Sequence, residues 1–303
     1  MLLLLRMRPV SPACRRFIFG GPGSGRAHYP IFMVIDIIMI PPEAPKLKLN
    51  RGFLYGKMKP ADRRMPGCGR EDRNMKRSEI NRALKELEAM CEKHCFALPP
   101  FCHFSPEDWQ TKGHEYDEIR DCMLGWDITD YGTGRFDEVG FSLITLRNGN
   151  RKDPARYPKV YAEKLLYLKE GQYSPMHFHW FKTEDIINRG GGNVLIRVYN
   201  ALPDESLDFS SDVTVHTDGR TYTVPAGTQI RLTPGESISI TQYLYHDFNV
   251  EPGSGAVLLG EVSQCNDDNT DNRFAEPVGR FPEIEEDEAP YRLLCFEYPG
   301  AKD

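Results

Sequence analysis

The run Gly171-Gln-Tyr-Ser-Pro-Met-His177-Phe-His179-Trp-Phe-Lys-Thr-Glu184-Asp-Ile-Ile-Asn-Arg-Gly190-Gly191 decides how this chain is read. His177 and His179 are separated by a single residue. Side chains alternate faces along a strand, so the two imidazoles point the same way. Glu184 follows after a short gap and can return beside them at the strand end. Two ring nitrogens and one carboxylate converging on a point make a coordination shell for a borderline or hard divalent ion. The glycines at 190–192 then send the chain back into a strand over 193–199.

The segments on either side read as β-structure. Upstream, 140–147 alternates and ends in the turn Asn148-Gly149-Asn150. Residues 160–169 predict a long strand, with Tyr161, Glu163, Leu165 and Tyr167 on one face and Ala162, Lys164, Leu166 and Leu168 on the other. Lys164 therefore shares a face with apolar neighbours, an odd place for a solvated lysine. Downstream, short strands are expected over 213–215, 222–224 and 229–232, with a hairpin turn at Thr217-Asp218-Gly219. Residues 237–245 alternate and deliver His246. Residues 256–262 form an apolar strand with Glu261 near its end. A polar loop over 265–272 and a last strand over 292–298 complete the chain. Many short strands with frequent turns predict an all-β core, a sandwich or barrel.

Two helices precede the strands. Ser78 is an N-cap residue, and Ile80, Leu84, Leu87 and Cys91 recur at helical spacing up to Pro99-Pro100. Ser105-Pro106-Glu107-Asp108 opens a second helix, expected to run to near Gly113. Both are expected on the outside of the sheet. Residues 1–74 lack either structural period and hold 14 Lys+Arg against 5 Asp+Glu, leaving 24 against 39 in the rest. We read 1–74 as a non-native or disordered extension, with Met75 as the functional start, and 75–303 as the working domain. That domain is acidic, which argues against nucleic acid as a partner. The apolar stretch at 31–40 is too short to span a bilayer, so no membrane is expected. The 8 cysteines contain no Cys-x-x-Cys pair and read as free thiols of a reducing cytoplasm.

The spacing Gly171, five residues, His-x-His, four residues, Glu184, six residues, Gly191 resembles the first motif of the cupins. The wording from Ser174 to Asn193, SPMHFHWFKTEDIINRGGGN, resembles the bacterial D-lyxose isomerases, and the likeness runs from about Met75 to the C-terminus. The resemblance implies a cupin double-stranded β-helix, a jelly-roll barrel with flanking N-terminal α-helices. It implies an isomerase of D-lyxose and D-xylulose, and of D-mannose and D-fructose, with manganese as the divalent cofactor. A homodimer is the ordinary expectation for such a barrel.

A second cupin motif should supply a fourth ligand, and His246 stands in that order. The usual Pro-x-Gly shortly before it is absent, and Pro225-Ala226-Gly227 lies far upstream. Asn249 is a partial match. His216 competes for the role but sits beside the hairpin turn. The expected metal ligands are therefore His177, His179, Glu184 and His246.

Isomerisation also needs a base to move a proton between C2 and C1, and groups to grip the hydroxyls. Glu261 is the expected base. Lys164 is the expected partner for charge or for the hydroxyl proton. Lys164, Glu184, Glu261, Asp271 and Arg273 are the expected sugar contacts. A plain ion pair remains open for Lys164 with Glu261, as does a solvated loop for Asp271 and Arg273. A hydride shift is the alternative to proton transfer. A cupin oxygenase and a non-catalytic sugar-binding cupin are the alternative functions.

Overall fold

A computed structural model describes residues 74–279 and 283–302. The expectation for residues 1–74 falls outside these, but for Asn74. Strand β1 (Met75–Lys76) leads into helix α1 (Arg77–Lys93), and the shorter α2 (Pro106–Trp109) and α3 (Asp117–Asp121) follow. The strands continue as β2 (Gly125–Thr129), β3 (Phe141–Arg147), β4 (Tyr161–Leu168), β5 (Tyr173–Phe178), β6 (Glu184–Gly191) and β7 (Val194–Ala201). Then come β8 (Leu207–Asp208), β9 (Val213–Thr217), β10 (Arg220–Val224), β11 (Gln229–Leu232) and β12 (Ser237–Ile240). The last are β13 (Leu244–Val250), β14 (Val257–Gln264), β15 (Arg273–Phe274) and β16 (Ile284–Glu285).

One sheet runs β10, β9, β12, β6, β14, β4, β3, β2, and the other β11, β7, β13, β5, β15 with β8 on β7. Their inward residues meet in one apolar core that includes Leu166, Ile186, Ile196, Val198, Ile238 and Leu259. Burying each such side chain contributes about 1.5–3 kcal/mol. The architecture is the jelly-roll barrel of the cupins, all-β at its centre, with helices on the N-terminal side.

The larger sheet is covered on its other face by α1. Ile80, Leu84, Leu87 and Cys91 pack there with Ile144, Leu165 and Leu258. Strand β4 is thus buried on both sides: Leu165 faces the helix, while Leu166 and Leu168 face the barrel. The same alternation carries Lys164 inward, beside Glu261 of β14, its directly opposed neighbour.

Four local expectations are corrected. Ser78 lies inside the first turn of α1, where its hydroxyl donates to Asp287 at 2.7 Å, so it caps nothing. Helix α2 ends at Trp109 rather than near Gly113, although the reciprocal Ser105–Asp108 cap forms at 2.9 and 3.1 Å. Residues 292–298 form no strand; Leu294 makes one isolated bridge to Trp126. The glycines at 190–192 are not a hairpin. Strand β6 pairs with β12 and β14, while β7 pairs with β11 and β13, so the turn crosses from one sheet to the other. Glycine is required because the backbones close up there: a Cβ on Gly191, at φ +91°, would lie 2.3 Å from Ala256 O.

Candidate active site

Both sheets contribute to one cavity of about 340 Å³ inside the barrel. Strand β5 supplies His177 and, just beyond its end, His179. Strand β13 supplies His246, which stands directly across from His177 in the antiparallel ladder. Glu184 opens β6 in the opposite sheet and faces the rings of His179 and His246. The ladder between β5 and β13 is irregular here. His246 pairs with His177 and Phe248 with Ser174, so three steps on β5 oppose two on β13. This bulge keeps both Ser174 and His177 turned inward, which strict alternation would forbid.

His177, His179 and His246 are buried, and one ring nitrogen of each lies within 4.8 Å of the others. Their Nδ1 atoms sit 2.8, 3.0 and 3.0 Å from the carbonyl oxygens of Pro175, Asp271 and Leu244. A carbonyl only accepts, so these partners assign the ring proton to Nδ1 and leave Nε2 as a lone pair. Burial holds the His177 pKa well below its ordinary value, and the neighbouring His246 and His179 rings push the same way. Nε2 of His179 and Nε2 of His246 lie 3.3 and 3.1 Å from Glu184 Oε1. Neither makes a hydrogen bond. Lone pairs facing a carboxylate in a buried site repel unless a cation lies among them. The donor set of nitrogens and a carboxylate suits a divalent transition metal.

A second layer of charge adjoins this one. Lys182, which follows the His-x-His pair, is buried with its Nζ 2.7 Å from Glu184 Oε2 and 2.9 Å from Glu261 Oε1. Burial is the largest influence on Lys182 and lowers its pKa, but the carboxylates of Glu184, Glu261 and Asp268 outweigh it and hold the ammonium charged. Burial likewise pushes the Glu184 carboxyl up, but it is held well below the ordinary range, with the Lys182 charge the largest influence in that direction. Lys164 Nζ lies 3.4 Å from Glu261 Oε1 and 3.6 Å from Asp268 Oδ1. Both hydrogen bonds of the Glu261 side chain fall on Oε1, from Lys182 and Ser263. Oε2 takes none among the described residues.

A profile of the D-lyxose isomerase family matches residues 75–298. The chain belongs to this family of sugar isomerases. It is 48% identical over 225 residues to the D-lyxose/D-mannose isomerase of Serratia proteamaculans, covering 74% of this chain and 98% of that one. It is 47% identical over 225 residues to the protein of that name from Escherichia coli O157:H7, with the same coverage. Among solved structures, the L-ribose isomerase of Acinetobacter sp. DL28 aligns over 71% of this chain and 100% of its own, at 15% identity and a TM-score of 0.48.

In this family member the cavity brings together His177, His179, Glu184, Lys164 and Glu261, with His246 directly behind them. Two expected sugar contacts lie elsewhere. The Asp271 carboxylate accepts from the backbone N–H groups of Phe181 and Lys182 at 2.8 and 3.0 Å, and its carbonyl orients His179. It braces the turn that carries the ligands and does not line the cavity. Arg273 is 41% exposed and pairs with Glu205 at 3.3 Å on the outside. His216 is held by Thr221 on an exposed hairpin, away from the other imidazoles.

Sequence reasoning missed Lys182, Asp127, Tyr131 and Ser174, all of which line the cavity. Two carried a signal. Lys182 sits within the run from His179 to Glu184, and Asp127 lies between Trp126 and Ile128 in a strand buried at every position.

Proposed function

We propose that this chain is a divalent-metal-dependent isomerase converting D-lyxose to D-xylulose and D-mannose to D-fructose. The observation that carries the reading is the buried cluster of three imidazoles, with Glu184 against two of them, beside Glu261 and two ammonium groups in the barrel cavity. The sugars are those in the names of relatives at nearly half identity.

His177, His179, His246 and Glu184 would hold the ion, with manganese the choice. When bound it supplies a Lewis acid to the C1 and C2 oxygens of the open-chain sugar. The chain's own groups move the protons. Glu261 Oε2 takes the proton from C2 and returns it to C1. Lys164 donates a proton to O1 and recovers the one leaving O2, so that an aldose becomes its ketose with no net gain or loss. Lys182 stays charged between Glu184 and Glu261 and fixes both carboxylates. Lys164, Glu184 and Glu261 are the polar sugar contacts at this end of the cavity.

We assign the activity to the domain 75–303, working in the cytoplasm as a homodimer. The six cysteines at 91, 95, 102, 122, 265 and 295 are all free thiols, which suits a reducing compartment. No helix among the described residues is long and apolar enough to cross a membrane.

The test is metal analysis of the purified protein together with turnover. Manganese-loaded protein should form D-xylulose from D-lyxose and incorporate solvent deuterium in D2O, and chelation should abolish both. Loaded protein that turns over neither D-lyxose nor D-mannose refutes the proposal. Turnover without any solvent deuterium at C1 or C2 removes Glu261 as the base and favours a hydride shift.

A further inference from the structure

We infer that the Tyr131–Ser174 hydroxyl pair binds the terminal hydroxyl of the sugar and selects substrates that carry one. This rests on the isomerase reading above. The wall of the cavity around Tyr131 is apolar, formed by Phe141, Leu143, Phe248 and, between Tyr131 and His177, Phe274. Tyr131 Oη and Ser174 Oγ form a pair there at 2.9 Å. Ser174 is fully buried, and Tyr131 Oη is its only side-chain hydroxyl partner among the described residues. A hydroxyl can take part in up to three hydrogen bonds, so Ser174 keeps capacity for a ligand.

The distance fits. Ser174 stands three residues before His177 on the same inward face, roughly 10 Å along β5 at about 3.3 Å per residue, and less across the bulge. An open-chain pentose built of bonds of about 1.5 Å reaches roughly 7 Å from its C1 oxygen to its C5 oxygen. With C1 and C2 at Glu261 and the imidazoles, the far oxygen arrives beside Ser174.

Tyr131 is also held at a cost. Its φ is +55°, a left-handed conformation that a bulky side chain rarely adopts. Its N–H donates to Thr129 Oγ1 at 3.0 Å, and its carbonyl accepts from Gly279 N–H at 2.8 Å. Its ring meets Phe141 and Phe274 edge-on, with centroids 6.1 and 5.6 Å away. Backbone and ring are thus clamped to aim one phenol at one serine inside the sugar cavity.

The experiment compares kcat/KM for D-lyxose and 5-deoxy-D-lyxose in the wild type, Tyr131→Phe and Ser174→Ala. A site built to bind a hydroxyl rejects the analogue lacking it, so the wild type should favour D-lyxose by about tenfold or more. In either variant that ratio should fall toward one, mainly through a raised KM for D-lyxose. Both substitutions remove one oxygen and keep the side-chain shape, and thermal unfolding monitors the fold. If both sugars lose activity equally in both variants, the pair is structural and the inference is overturned. So is it if the wild type does not discriminate. A wild type that turns over neither sugar overturns the isomerase reading itself, and this assignment with it.

Discussion

Two clusters of cations and carboxylates are built around buried cations in this molecule, and they are built differently. In the first, Arg77 of α1 is 1% exposed and binds Glu286 through Nε and Nη2 at 2.9 and 2.6 Å. It binds Glu297 through Nη1 at 3.1 Å and through Nη2 as well. Every guanidinium nitrogen is engaged, and Glu297 Oε2 also accepts from Leu294 N–H. In the second, Lys182 bridges Glu184 and Glu261 and Lys164 bridges Glu261 and Asp268, but Nε2 of His179 and of His246 face Glu184 with no hydrogen bond. The first cluster is closed, and its work is to tie the start of α1 to the C-terminal segment. The second is closed on the lysine side and open on the imidazole side. The three imidazoles on that open side are close enough to hold a metal ion together.

The contrast breaks hardest at Glu261. If that carboxylate is only an ion-pair partner, like Glu286, its loss should cost stability and little rate. If it is the base, the reverse holds. We expect Glu261→Gln to lower kcat about a hundred- to ten-thousandfold. Bound metal should persist, because Lys182 keeps Glu184 and Lys164 keeps Asp268. Steady-state kinetics beside metal content measures this. A kcat within about tenfold of the wild type would make the two clusters the same kind of thing.

Arg77 gives the converse. Replacing it with Met leaves the Glu286 and Glu297 carboxylates without their cation. The expected loss of stability is about 2–4 kcal/mol by denaturant unfolding, below the full penalty of a buried charge because Glu286 is 58% exposed. kcat and KM of the folded protein should be unchanged, since α1 touches the outer face of the barrel and not its cavity. A variant as stable as the wild type would mean the clasp holds nothing.

How far the sequence announced these clusters follows from what each depends on. The all-β core and the inward face of Lys164 were legible because period-two alternation is a local property that β4 shows, whereas the jelly-roll was implied by the resemblance that the His-x-His motif carries. The imidazole pair was legible from spacing alone. The bracing role of Asp271 was not, because the backbone N–H groups it binds lie 89 and 90 positions away. Ser174 was hidden by a bulge: counted by parity from His177 it belongs outside, and only the pairing with β13 turns it in. The C-terminal segment failed for a similar reason. Residues 292–298 look like a strand by composition, but their backbone pairs at Leu294 alone and Glu297 is spent on Arg77. Long-range partners decide such cases, and a single sequence does not name them.

The smallest expected effect is in the acid response of the clasp. The hydrogen bond from Arg77 is the largest influence on Glu286; burial opposes it, the guanidinium charge reinforces it, and the carboxyl is held below its ordinary value of 4.5. A carboxyl with a depressed folded pKa contributes stability at pH above the ordinary value, and that contribution fades as pH falls through the folded one. The gap in stability between wild type and Arg77→Met should therefore be constant from neutrality down to about pH 5 and narrow below about pH 4.5. Much of Glu286 is in water, so solvent screening keeps the narrowing small. Urea midpoints of both proteins at about pH 7 and about pH 3.5 read it directly. Equal gaps at the two values would mean that Arg77 holds α1 by packing of its stem rather than by its charge, and the closed cluster would owe its strength to shape.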